Sequence, residues 1–108
     1  MSQIQDFDVT SNIKAIERIK SQLLSCVADL YDNMLNAEST ASQRSDILAD
    51  VIILTYVLSA RLGIPYQNLD TKALNKLKLG VLESESNLFT DLSHLYKHLE
   101  NRRRTEEN

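Results

Sequence analysis

The sequence predicts an all-α fold, and three observations carry that expectation. Two glycines and one proline in 108 residues leave little material for the turns of a β fold, and there is no tryptophan. Apolar residues recur three and four apart over long stretches, which is the period of one helix face. The few residues that interrupt the pattern are of the kinds that cap or stop helices.

Thr10 or Ser11 is the expected cap of a first helix running to about Ala37. Its apolar positions are Ile13, Ile16, Ile19, Leu23, Cys26, Val27, Leu30 and Met34, with Gln22, Ser25, Asp29, Asp32, Asn33 and Asn36 opposite. Ser39 and Thr40 break that pattern and are placed to cap a second helix, from about Ala41 to Leu62. Gly63 suits the position after its end, and Pro65 a stop. Asn68 or Asp70 is the expected cap of a third helix that holds Leu69, Ala73, Leu74, Leu77 and Val81 and is weakened by Gly80. A fourth, from Asn87 to about Asn101, buries Leu88, Leu92, Leu95 and Leu99. Residues 1–10 are expected to be a flexible N-terminus, 11–101 a single helical domain and 102–108 a frayed charged tail.

Charge and hydropathy exclude several classes. A net charge of −3 and a pI near 5.3 offer no basic field for a nucleic acid polymer or an anionic membrane. Cys26 is the only cysteine, so no intrachain disulfide forms, and its apolar setting reads as core. The polar, acidic stretch from Met1 to Asp8 lacks the features of a secretory leader. The run Val51 to Leu54, flanked by Asp50, Thr55, Ser59 and Arg61, is too short and too polar to span a bilayer. A cytoplasmic protein is the expectation.

The helix lengths point to self-association. A first helix of about 40 Å at ~1.5 Å per residue is long beside a domain whose radius of gyration is near ~13 Å. The second helix is apolar nearly all round, so it needs cover on several sides. A homodimer or higher oligomer, built through the helix containing Val51 to Leu62, would supply it.

Asp50 is the residue that raises the question of function. At about 100° per residue its same-face neighbours are Asp46, Ile47, Ile53 and Leu54. A carboxylate among branched apolar side chains is costly to bury unless a cation or donors meet it. So either this face stays wet or something pairs with Asp50, and the pairing has two readings: a buried acid met by a lysine or arginine, and a metal ligand. Asp29 and Asp32, on a polar face, read first as solvated acids, and Lys76 and Lys78 as surface lysines. His94 and His98 stand one turn apart with no third strong ligand placed nearby, which is a weak zinc signal.

The stretches Leu48-Ala49-Asp50-Val51-Ile52-Ile53, Arg61-Leu62-Gly63-Ile64 and Leu74-Asn75-Lys76-Leu77 resemble the MazG-like branch of the all-α nucleotide pyrophosphohydrolases, over roughly Asn12 to Gly80. The resemblance implies a bundle of about four helices completed by dimerisation. It also implies a Glu-Glu-x-x-Glu group on one helix and a Glu-x-x-Asp group on the next, which bind magnesium. A later lysine and asparagine contact the phosphates. Asp50 matches the aspartate of the second group, but Ile47 stands in place of its glutamate. Asp29 matches the last acid of the first group, and Ser25 and Cys26 fall where its paired glutamates belong. Lys76 matches the lysine, while Gly80 replaces the asparagine.

The candidate metal ligands are therefore Asp29, Asp50 and Asp46, one turn before Asp50. Lys76 is the candidate substrate-binding residue, and a nucleotide the implied ligand. Magnesium wants near-octahedral oxygen coordination, so this thinned set suits one weakly held ion. The function expected is that of a degenerate pyrophosphohydrolase fold kept as a binding or interaction module, with weak or no hydrolysis. The alternative is an active magnesium-dependent enzyme that cleaves nucleoside triphosphates.

Overall fold

The computed structural model describes residues 2–83 and 88–107, with side-chain exposure for 9–80 and 88–105. Four helices, and no strand among the described residues, follow in the order α1 (Ser2–Leu35), α2 (Ala41–Arg61), α3 (Tyr66–Glu83) and α4 (Phe89–Glu107). The all-α expectation holds. Two compact units result, Met1–Tyr66 and Gln67–Asn108.

In the first unit α1 packs along α2. Along α1 the covered positions Asn12, Ile16, Ile19, Leu23, Cys26, Leu30 and Asn33 alternate steps of four and three. Along α2 the covered positions Arg44, Ile47, Val51, Leu54 and Leu58 do the same. These are the spacings of a coiled-coil seam, and Ile19 at its centre is buried. Two side-chain links fix the register. Asn12 Nδ2 donates to the Arg61 carbonyl (3.1 Å) and Arg61 Nη1 donates to Asn12 Oδ1 (3.3 Å). At the other end Asn33 Nδ2 donates to Gln43 Oε1 across a long 3.5 Å. The pair is therefore an antiparallel hairpin.

Each end of α2 has a local cause. Thr40 is its N-cap: the hydroxyl accepts from Gln43 N (3.2 Å), and Gln43 Oε1 accepts from Thr40 N (3.0 Å). Together they form a capping box, which satisfies two otherwise orphaned N–H donors. At the C-terminus Gly63 adopts φ +83°, the left-handed region that favours glycine. Its N–H donates to the Ala60 carbonyl (3.0 Å), and that of Ile64 to the Ser59 carbonyl (2.9 Å). This is a Schellman closure. The buried Ser59 tightens it, its hydroxyl donating to the Ile64 carbonyl (3.0 Å). The ring of Tyr66 meets Tyr56 edge-on, with centroids 5.8 Å apart.

Three helix boundaries differ from expectation. α1 begins at Ser2, so Thr10 and Ser11 lie inside it rather than capping it. Ser and Thr cost a helix interior only tenths of a kcal/mol, roughly, and do not stop it unaided. α3 begins at Tyr66, directly after Pro65, ahead of the expected caps Asn68 and Asp70. Proline lacks an N–H to leave unsatisfied, so it is tolerated at a helix entrance. α4 continues to Glu107, through the expected frayed tail. Asn87, the expected start of α4, lies outside the described residues, as does the side chain of Val81.

In the second unit Leu74 is buried on α3, flanked by the half-buried Leu69, Ala73 and Leu77. Arg102 of α4 pairs with Asp70 of α3 at 3.6 Å. Leu92 Cδ1 lies 3.7 Å from where a side chain on Gly80 would begin. On α4 the covered leucines are Leu92 and Leu99, while Leu95, and Leu88 just ahead of the helix, are exposed.

Candidate functional site

The α1–α2 hairpin has two flanks, one on either side of its seam. The bonded pair Asn33 and Gln43 shows which flank of α1 shares a side with which flank of α2. Asp29 stands one turn before Asn33, on the same flank. On α2 the flank that begins at Gln43 continues through Asp46, Asp50, Val57 and Arg61, by the ~100° step of a helix. The Asn12–Arg61 link closes the same side at the far end. So Asp29, Asp46 and Asp50 share one polar side of the hairpin, bracketed by two cross-helix links. The register brings Asp29 level with Asp46, and Ser25 level with Asp50.

Asp50 itself departs from one of its two readings. It is exposed, and among the described residues it makes no ion pair or hydrogen bond. The seam is narrow enough that a position about 100° from its centre reaches water. The buried ion pair is therefore not formed. Nor is α2 covered all round within the chain: Leu48, Ile52 and Ile53 are exposed.

Asp29 and Asp46 are exposed as well, and Lys76 is exposed on α3 in the second unit. No group of three or more His, Cys, Asp or Glu among the described residues is gathered closely enough to hold a metal ion. His94 and His98 are exposed on α4 and belong to no such group. No single helix among the described residues is long and apolar enough to cross a membrane.

Ile47 and Cys26 explain the thinness of the acidic flank. Both are half-buried members of the seam. They stand level with one another on the edge nearest the three aspartates. An apolar branch and a thiol offer magnesium no oxygen, and the donor set of this flank fits that ion poorly. The buried Asn33 Oδ1 has no hydrogen-bond partner among the described residues and is the one polar atom of the seam left wanting.

The model of the MazG-like family matches residues 9–95. The chain belongs to the MazG-like family. The matched span takes in most of α1, all of α2 and α3 and the first part of α4, and with them Asp29, Asp46, Asp50 and Lys76. Comparisons with curated proteins and with solved structures gave no match. Family membership accords with the all-α fold and leaves activity to the residues themselves.

Sequence reasoning placed Cys26 on the apolar face of α1, where it packs, and missed the two cross-helix links and the seam position of Ile47. The step of three and four from Asn12 to Asn33 was the available signal, since it puts an asparagine at each end of an otherwise apolar row.

Proposed function

We propose that this MazG-like chain serves as a helical binding or interaction module whose pyrophosphohydrolase site has degenerated, with weak or no hydrolysis. The observation that carries this reading is the exchange of acids for seam residues. Where the family resemblance calls for glutamates, Cys26 and Ile47 pack between α1 and α2. Facing carboxylates at those two positions would repel unless a cation joined them. Apolar side chains hold the same helices together without one. The packing at these two positions is thus independent of any metal.

Asp29, Asp46 and Asp50 form no gathered metal site, and would hold at most one magnesium ion, weakly. An ion held there would neutralise charge on a phosphate group. Lys76, on α3 of the second unit, is proposed by itself as a phosphate-binding residue, a point charge. Assembly as a homodimer or higher oligomer and a cytoplasmic location complete the proposal.

Calorimetric titration with magnesium and a panel of nucleoside mono-, di- and triphosphates tests it. Weak binding, at Kd of roughly 0.1 mM or above, is the expected result. Micromolar magnesium binding by the free protein would contradict the degenerate reading.

A further inference from the structure

The outward face of α4 carries two exposed histidines. The covered residues of this helix are Leu92, Ser93, Tyr96, Leu99 and Glu100. At about 100° per residue they centre nearly opposite His94 and His98. The two histidines therefore stand one above the other on the side of α4 turned to water. Neither makes a hydrogen bond or ion pair among the described residues. His98 lies beyond the family match, which ends at residue 95.

Spacing decides what the pair can hold. Side chains four apart on a helix have Cβ atoms about 5–6 Å from one another. Two imidazole rings so placed can converge on one ion at the roughly 2 Å of a metal–nitrogen bond. No third His, Cys, Asp or Glu joins them in a metal-holding group among the described residues, and Asp91, one turn before His94, is two turns from His98. Structural zinc takes four protein ligands and catalytic zinc three, so a pair suits zinc poorly. Copper(II) and nickel(II) favour tetragonal sites of nitrogen and oxygen, which two imidazoles and water fill. The charge around the pair is close to balanced. Asp91 lies to one side of it and Lys97 to the other, and Arg102, one turn after His98, is engaged by Asp70 at 3.6 Å.

From this we infer that His94 and His98 form a two-nitrogen chelate on the outer face of α4 for a tetragonal late transition cation, copper(II) or nickel(II), with water completing the coordination. Copper(II) is the tighter of the two, by the general order of divalent affinities. A bridge between positions four apart also pins one helical turn, so the bound ion favours the folded form of α4. The inference rests on α4 alone and is independent of nucleotides and of magnesium.

Calorimetric titration of the full, untagged chain with nickel(II) tests it, beside His94→Ala, His98→Ala and the double variant. Nickel(II) is the probe because a free thiol such as that of Cys26 reduces copper(II) but not nickel(II). Alanine at these exposed positions removes no covered contact and favours a helix, so the variants should fold, and circular dichroism checks that they do. The wild type should bind one ion per chain with Kd below about 100 µM, and each single variant should raise Kd by about 10-fold or more, because losing either ring breaks the chelate. The double variant should bind little more weakly than the singles, the mark of two rings acting as one site. Nickel(II) should raise the melting midpoint of the wild type and not that of either single variant. A wild type without such a site, single variants that bind as tightly as the wild type, or a midpoint that nickel(II) raises equally in all four proteins overturns the inference. If an alanine variant loses its helices, His94→Gln or His98→Gln replaces it, with the same rise in Kd expected and an unchanged Kd again overturning the inference.

Discussion

Replacing Ile47 by glutamate puts a carboxylate back into the seam, beside Asp50 and Asp46, and the structure sets the size of the effect. Ile47 is half-buried. Losing its apolar contact forfeits roughly half to two thirds of the ~1.5–3 kcal/mol that full burial contributes, or about 1–2 kcal/mol. Desolvating a carboxylate without a donor adds about 1–3 kcal/mol more. The combined loss of about 2–5 kcal/mol should lower the melting temperature by at least 8 °C or so, at roughly 4–8 °C per kcal/mol for a small domain. The added acid also stands on the edge nearest Asp29. Magnesium should therefore restore part of the loss, up to ~2.7 kcal/mol at a concentration 100 times its Kd. Melts of wild type and Ile47→Glu, each with and without magnesium, make the assay. The wild type should respond little to magnesium and the variant clearly. A variant as stable as the wild type would show that Ile47 is not in the seam. A loss that magnesium leaves untouched would refute the placing of this edge beside Asp29, Asp46 and Asp50.

Asp50→Asn should change stability by no more than about 0.5 kcal/mol, as for other exposed side chains without a specific partner, and a urea melt with a loss above about 2 kcal/mol would contradict its exposed position. Gly63→Ala should destabilise by about 1 kcal/mol or more, because φ of +83° is strained for any residue with a side chain, and an unchanged melting midpoint would count against that turn. Gly80→Ala should do the opposite and stabilise by about 0.5–1 kcal/mol: the position is helical and the new methyl meets Leu92 at an ordinary 3.7 Å.

Much of the fold was legible where the sequence carries a local signal with its own energy. Ser39 and Thr40 announce the start of α2, and Gly63 its end, because caps satisfy backbone groups within a few residues of themselves. The start of α1 was not legible, since Thr10 and Ser11 are good caps and also tolerable helix residues. Nothing local distinguishes the two roles. The apolar row of α1 was read as one face. In the structure it is two: Ile16, Ile19, Leu23, Cys26 and Leu30 meet α2, while Ile13, Val27 and Met34 belong with Leu24 and Tyr31 outside. Steps of three and four fit either row, and only the position of a partner helix separates them.

The acids were found in the sequence, but their common flank was not. That needs the register between α1 and α2, which the Asn12–Arg61 and Asn33–Gln43 links supply and no local pattern encodes. Whether the face of Asp50 stays wet or is covered stays open in the sequence for a related reason. A helical wheel gives its neighbours, Ile47 and Leu54, but not how far the covering helix reaches round.

Pyrophosphate release is the measurement that tests the central claim most directly. The full chain is incubated with millimolar magnesium and each common nucleoside triphosphate, beside Asp50→Asn. The account predicts release indistinguishable between the two proteins and at most barely above the protein-free blank, because Ser25, Cys26 and Ile47 leave too few oxygens to hold the metal that activates a water. Robust magnesium-dependent release by the wild type, abolished by Asp50→Asn, would contradict it and restore the acidic flank as a working active site.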